Sequence, residues 1–95
     1  MTLITAIVPT ASASRYLQQL CKHWSHKFAV SFDPERGTIA LPFGQTELAA
    51  GAEALTVTIT LNDGGDPARA QQVVADHLNR FAFREGELVF DWKQG

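Results

Sequence analysis

The chain has 95 residues and a net charge of −2, so we expect one domain covering residues 1–95. Its pI of about 5.8 excludes a strongly basic nucleic-acid-binding module, and its length excludes a (β/α)₈ barrel, which needs roughly 200 residues or more. No apolar run reaches the ~18–20 residues of a membrane span, and the start has no basic region typical of a signal peptide. Because Cys21 is the only cysteine, we expect a cytoplasmic protein without disulfides, membrane contact or bound nucleic acid.

The beginning of the chain predicts a strand followed by a long amphipathic helix. Residues 2–8 are apolar and β-branched and are stopped by Pro9, which indicates a strand buried on both faces. Thr10 and Ser12 are N-cap candidates for a helix that runs to about Lys27. Its apolar face comprises Ala13, Leu17, Leu20, Trp24 and Phe28.

Four strands are predicted in the middle of the chain, three of them from alternation with period two. Residues 28–32 and 38–43 alternate on either side of a hairpin loop at 33–37. Gly44 opens a further strand to about Ala50, and residues 55–61 form the clearest strand. This last strand has aliphatic side chains on one face and three threonines on the other.

The remaining elements complete an α+β fold. Asp66 is the predicted N-cap of a second amphipathic helix, with Pro67 at its first position and its end near Ala82. Residues 88–92 predict a final strand. The order β-α-β-β-β-β-α-β predicts two amphipathic helices packed on one face of a mainly antiparallel sheet. The other face is expected to be open, polar and threonine-rich, and a homodimer is one way to cover it.

Charge is distributed unevenly along the chain. Residues 1–32 contain three basic residues and no acidic one, a charge of +3, whereas residues 33–95 contain five basic and ten acidic residues, a charge of −5. Arg15, Lys22 and His26 form a stripe on the polar face of the first helix, and His23 flanks it. This stripe has three interpretations. It is a solvated surface, it pairs with acidic residues of this chain or of a second copy, or it binds a carboxylate or phosphate.

The residues Cys21, His23 and His26 suggest a metal site, but helical geometry argues against one. Cys21 and His23 point about 160° apart on a helix, so one ion cannot contact both. His23 and His26 are about 60° apart and permit a shared ligand. Two ligands are fewer than a structural zinc site requires, so we predict no metal and no cofactor.

In the second helix, His77 lies in the middle of the apolar face, with Arg80 and Arg84 near the C-terminal end. A histidine in that position is commonly a core residue satisfied by one hydrogen bond. Alternatively it faces a pocket between the helices as an acid, a base or a ligand. The arginines are equally compatible with favourable placement of cations near a helix C-terminus.

Two blocks and a terminal pair of residues carry a recognisable signature: ASRYLQQLCKHWSHK at 13–27, HLNRFAFRE at 77–85, and Asp91-Trp92. From about Pro9 to Trp92 the chain resembles the bacterial family known as domain of unknown function 2218. Members occur next to, or fused to, siderophore-interacting flavin reductases, so the resemblance implies a role in iron acquisition and such a reductase as a partner. Some members are labelled as an aldolase acting on dihydroxyheptenedioic acid, but aldolases of that class resemble full α/β barrels, and this chain is too short. The family pattern marks Arg15, Tyr16, Cys21, Lys22, His23, His26, Lys27, His77, Arg80, Arg84, Glu85 and Trp92.

No nucleophile motif, phosphate-binding loop or dinucleotide fingerprint is present in the sequence. We therefore predict no catalytic residue and a small binding module for an anionic ligand or a protein partner, and the family resemblance implies that it serves iron or siderophore metabolism. The alternative is a small enzyme that uses His77 or His26 with Arg84 and Glu85. The candidate ligand-binding residues are Arg15, Lys22, His23, His26, His77, Arg80 and Arg84.

Overall fold

A computed structural model of the protein describes residues 2–82 and 88–94. Its elements follow the predicted order: β1 Thr2–Pro9, α1 Ala13–Trp24, β2 Val30–Phe32, β3 Arg36–Leu41, β4 Gly44–Ala50, β5 Ala54–Leu61, α2 Pro67–Phe81 and β6 Trp92–Gln94. Neither helix is long and apolar enough to cross a membrane within these residues.

The six strands form one antiparallel sheet in the order β2-β3-β4-β5-β1-β6. Helix α1 packs against β2, β3, β4 and β5 and contacts α2, and the buried sides of both helices belong to one apolar core. The predicted α+β architecture, with two helices on one face of an open sheet, is confirmed. Strand β1 lies between β5 and β6, so the N-terminal strand is an interior strand of the sheet, next to the edge strand β6.

The prediction that β1 is buried on both faces is wrong. Ile4, Ala6 and Val8 face the helices and are at most 1 % exposed, whereas Leu3 and Ile7 on the opposite face are 42 % and 59 % exposed. A run of apolar residues does not reveal whether a second layer covers the sheet. Here the helices cover one side only, so Leu3 and Ile7 remain accessible beside the threonines of β5.

Helix α1 ends earlier than the predicted Lys27. The Trp24 carbonyl accepts hydrogen bonds from the backbone N–H groups of both Lys27 and Phe28, at 3.0 and 2.9 Å, and the chain then turns toward β2. His26 and Lys27 consequently lie beyond the helix. The apolar face is otherwise as predicted, with Ala13, Leu17, Leu20 and Trp24 buried and Phe28 packed against the core from the following turn.

Gly37 of β3 allows α1 to lie close to the sheet. A Cβ atom at this position would be only 2.6 Å from the Sγ atom of Cys21 on α1. Cys21 is fully buried, as expected for a thiol that acts as a small apolar side chain. The missing side chain of Gly37 therefore creates the space that Cys21 fills.

Helix α2 begins as predicted, but the final strand does not. The Asp66 side chain accepts hydrogen bonds from the N–H groups of Ala68 and Arg69, which caps the helix. The strand predicted at 88–92 instead covers Trp92–Gln94. The Leu88 N–H donates to the Asn79 side chain of α2 at 2.8 Å, so this segment starts along the helix and joins β1 only at Trp92.

Candidate functional site

The basic surface of the protein spans α1 and the C-terminal half of α2. Arg15, Lys22, His23 and Arg80 are exposed on it, and His77 is half-buried. Within residues 2–82 and 88–94, Lys93 and Asp91 form the only ion pair, at 3.8 Å. No described carboxylate therefore forms an ion pair with Arg15, Lys22 or Arg80. The structure divides the predicted site residues into two groups, a groove beside α1 and a histidine pair between the helices.

The first group lies in a groove of about 550 Å³ along α1, which we call the basic groove. Its lining residues are Ala11, Ser12, Ser14, Arg15, Gln18, Gln19 and Lys22. Arg15 and Lys22 supply its two positive charges. The Gln18 side chain donates to Ser14 Oγ at 3.0 Å, and Ser14 in turn donates to the Pro34 carbonyl at 2.5 Å, so the polar wall of the groove is tied to the β2–β3 turn.

Gln19 lies between the two basic side chains in the sequence, and all three line the same groove. The Gln19 Oε1 atom is buried, and no hydrogen-bond partner for it occurs among the described residues. The groove thus combines two exposed cations with neutral polar side chains.

The second group is the histidine pair, defined as His23 of α1 and His77 of α2. Their ring centroids lie 5.3 Å apart with a tilt of 50°. His77 also packs on Trp24, with 4.7 Å between ring centroids, and His23 lies edge-on to Phe81 at 6.2 Å. The pair is therefore held between two aromatic side chains at the contact of the two helices.

His77 has a defined tautomer in this arrangement. Its Nδ1 atom lies 2.7 Å from the Val73 carbonyl oxygen, and a carbonyl accepts but cannot donate, so Nδ1 carries the proton. In the neutral ring the lone pair is therefore on Nε2. His77 makes one hydrogen bond within α2, as the core interpretation predicted, and its ring contacts His23 and Trp24 of α1. A role for it as an acid, a base or a ligand stays a prediction.

The environment favours the neutral form of His23. Partial burial lowers the pKa of its imidazole, and the neighbouring positive groups His77, Arg80, Lys27 and His26 lower this pKa further. No acidic group contributes to the shift. The histidine pair and its neighbours therefore form a cluster of basic groups that repel one another when protonated. Binding of an anion or loss of a proton stabilises this cluster.

The predicted stripe is divided because α1 ends at Trp24. Arg15 and Lys22 stay together in the basic groove, whereas His26, beyond the helix, acts electrostatically on His23 together with Lys27 and Arg80. Arg84 and Glu85 lie outside the described residues. The approach of His23 to His77 cannot be predicted from the sequence, since no spacing within one helix reports the angle between two helices.

The structure also limits other chemistry at this surface. Burial raises the pKa of the Cys21 thiol to about 11, so it is neither a thiolate nucleophile nor a ready metal ligand at neutral pH. Among the described residues, no group of three or more His, Cys, Asp or Glu side chains is placed to hold a metal ion.

Comparison with known proteins places the chain in a bacterial group. Residues 5–93 match the family described as "Uncharacterized protein conserved in bacteria (DUF2218)". The NMR structure of PA4090 from Pseudomonas aeruginosa is similar, with 41 % sequence identity and a TM-score of 0.80 over 98 % of this chain and 96 % of that one. No curated protein matches the chain.

Proposed function

The chain belongs to the bacterial DUF2218 family, and we propose that it is a binding module whose basic groove holds a small anionic ligand. One observation carries the proposal: Arg15 and Lys22 line the same groove, and no described carboxylate forms an ion pair with either. Positive side chains left unneutralised on one surface attract an anion and hold it by charge-assisted hydrogen bonds.

A polycarboxylate suits the groove better than a simple inorganic ion. The two cations are seven positions apart on α1 and therefore about 10 Å apart along the helix axis, at about 1.5 Å per residue. A ligand with several acid groups can contact both side chains where each projects from the helix, whereas a single phosphate requires both side chains to bend toward one point between them. The polar side chains of Gln18, Gln19 and Ser14 between them offer hydrogen bonds to hydroxyl groups.

The family resemblance supplies the biological setting of the proposal. We propose that the ligand is citrate or a carboxylate-bearing siderophore, with or without iron, and that the protein serves iron metabolism. A siderophore-interacting flavin reductase is the proposed protein partner if no small ligand binds. The acidic groups typical of these ligands are the feature that the basic groove would recognise.

The test is an NMR titration of ¹⁵N-labelled protein with citrate, phosphate and a ferric siderophore in turn. We expect citrate or the siderophore to shift the amides of residues 12–22, and phosphate to have a weaker effect. Arg15→Gln combined with Lys22→Gln should weaken binding about tenfold or more, since hydrogen bonds to charged groups contribute about 1.5–3 kcal/mol each.

Arg36→Gln combined with Lys93→Gln is the matched control, because both are exposed cations outside the basic groove and the variant also loses two positive charges. Its affinity should equal that of the wild type. Equal weakening by both variants would reduce the effect to net charge and contradict a site in the groove. If none of the three ligands shifts any amide, the small-ligand proposal fails, and the flavin reductase becomes the next partner to add.

A small enzyme is the second candidate, favoured by the convergence of the histidine pair with Arg80. A neutral His23 beside a cation has the properties of a general base near neutral pH. Ligand-induced shifts confined to His23, His77 and Arg80, with the basic groove unaffected, would favour this candidate over the binding module.

A further inference from the structure

The histidine pair has the dimensions of a two-imidazole metal site. In a tetrahedral complex, two imidazoles that each bind the ion at about 2.0–2.1 Å have ring centroids roughly 5 Å apart. His23 and His77 are separated by 5.3 Å without any metal. The separation of the two rings therefore matches that of two imidazoles on one ion.

The second requirement of such a site is a fixed lone pair, and His77 meets it. Its Nδ1–H donates to the Val73 carbonyl at 2.7 Å, which leaves Nε2 as the available ligand atom. A backbone hydrogen bond to the other ring nitrogen is the usual support of a metal-binding histidine, because it orients the ring and raises its basicity. Packing of His77 on Trp24 restricts the ring further.

We infer that His23 and His77 together bind one divalent transition-metal ion, such as Zn²⁺ or Ni²⁺, across the contact between α1 and α2. The two imidazoles occupy two coordination positions, and water or the oxygen atoms of an anionic ligand occupy the others. The site is open and exchangeable, in contrast to a closed structural zinc site with four protein ligands. Imidazole selects these ions over Mg²⁺ and Ca²⁺, which prefer oxygen.

The neighbouring charges act against a bare cation at this site. Lys27 and Arg80 are exposed on the same surface and repel a metal ion, which weakens its binding. An anionic ligand on the open positions of the ion would offset the repulsion, so anions should strengthen metal binding.

The experiment is isothermal titration of the untagged protein with ZnCl₂, NiCl₂ and MgCl₂ in a non-coordinating buffer without added anionic ligand. We expect saturable binding of one Zn²⁺ or Ni²⁺ and no binding of Mg²⁺. His23→Gln and His77→Phe should each weaken binding about tenfold or more. Phenylalanine at position 77 keeps an aromatic ring against Trp24, and a thermal melt would establish that this variant folds.

His26→Gln is the decisive control, because the sequence alone pairs His23 with His26. If the two helices share the ion, this variant binds like the wild type. Equal loss in His23→Gln and His26→Gln with normal binding by His77→Phe would overturn the inference, and so would absence of Zn²⁺ and Ni²⁺ binding in the wild type. These titrations contain no citrate or siderophore, so they can fail independently of the proposed function.

Discussion

The two faces of the sheet use the same strands for different purposes. On the helix side, β1 and β5 contribute Ile4, Val8, Val57 and Ile59, all fully buried, and the layer above them carries the basic groove and the histidine pair. On the other side, the alternate residues include threonines of β5 with Leu3 and Ile7 exposed. The comparison shows that alternation along a strand assigns residues to two faces, but the helical layer decides which face becomes a core.

The largest expected effect follows from substituting one strand on its two faces. Ile4→Ala should reduce the free energy of unfolding by about 2–5 kcal/mol, because it leaves a cavity under the helices. Ile7→Ala should cost less than about 1 kcal/mol, because that side chain is 59 % exposed. Urea denaturation of both variants checks the difference. Similar large losses would show that Ile7 is covered in solution, as a homodimer through the open face would produce.

A smaller loss is expected at the contact between α1 and β3. Gly37→Ala places a methyl group 2.6 Å from Cys21 Sγ, and overpacking of this kind costs about 1–3 kcal/mol. Adding Cys21→Ala should recover part of that loss, since it removes the sulfur atom. A double-mutant cycle by chemical denaturation measures the coupling energy between Gly37→Ala and Cys21→Ala. If the two changes in the free energy of unfolding are additive, the methyl group is strained against some other atom than Cys21 Sγ.

The basic surface predicts a modest dependence of stability on pH. The pKa of His23 is lowered from 6.5 in the folded protein, so the unfolded chain binds the proton more readily. The stabilisation is therefore complete above about pH 6.5 and is lost as the pH falls through the lower, folded-state pKa. Melting curves between pH 7.5 and 5 should show a smaller decline in His23→Gln than in the wild type. Parallel declines would contradict the lowered pKa.

The smallest effect on stability is expected in the basic groove. Arg15→Glu combined with Lys22→Glu should change the free energy of unfolding by no more than about 0.5 kcal/mol, because both side chains are exposed. Glutamate is favourable near the helix N-terminus and unfavourable near its C-terminus, so the dipole effects oppose each other. Thermal denaturation checks this expectation. A large loss would mean that these cations stabilise the fold instead of serving a ligand.

The elements that were predicted correctly and those that were not differ in what determines them. Local signals were sufficient where an element depends on neighbours in the chain: Asp66 before Pro67 predicted the start of α2, and alternation predicted β5. The final strand was misplaced because Asn79 accepts a hydrogen bond from the Leu88 N–H, so the strand starts later. The end of α1 was misplaced for a local reason, because the turn after Trp24 leaves His26 outside the helix and the predicted stripe.

The candidate site shows the same difference. Arg15 and Lys22 share a groove because they share a helix face, and helical periodicity alone predicts that. The approach of His23 to His77 depends on how closely α1 and α2 pack, and the contacts of Trp24 with His77 and of His23 with Phe81 join residues that are far apart in the sequence. The sequence by itself therefore determined the family, the order of elements and the residues whose side chains are candidates for binding a ligand. Only the tertiary structure decided which of them meet, because helix packing and the single covered face of the sheet are properties of the assembled core.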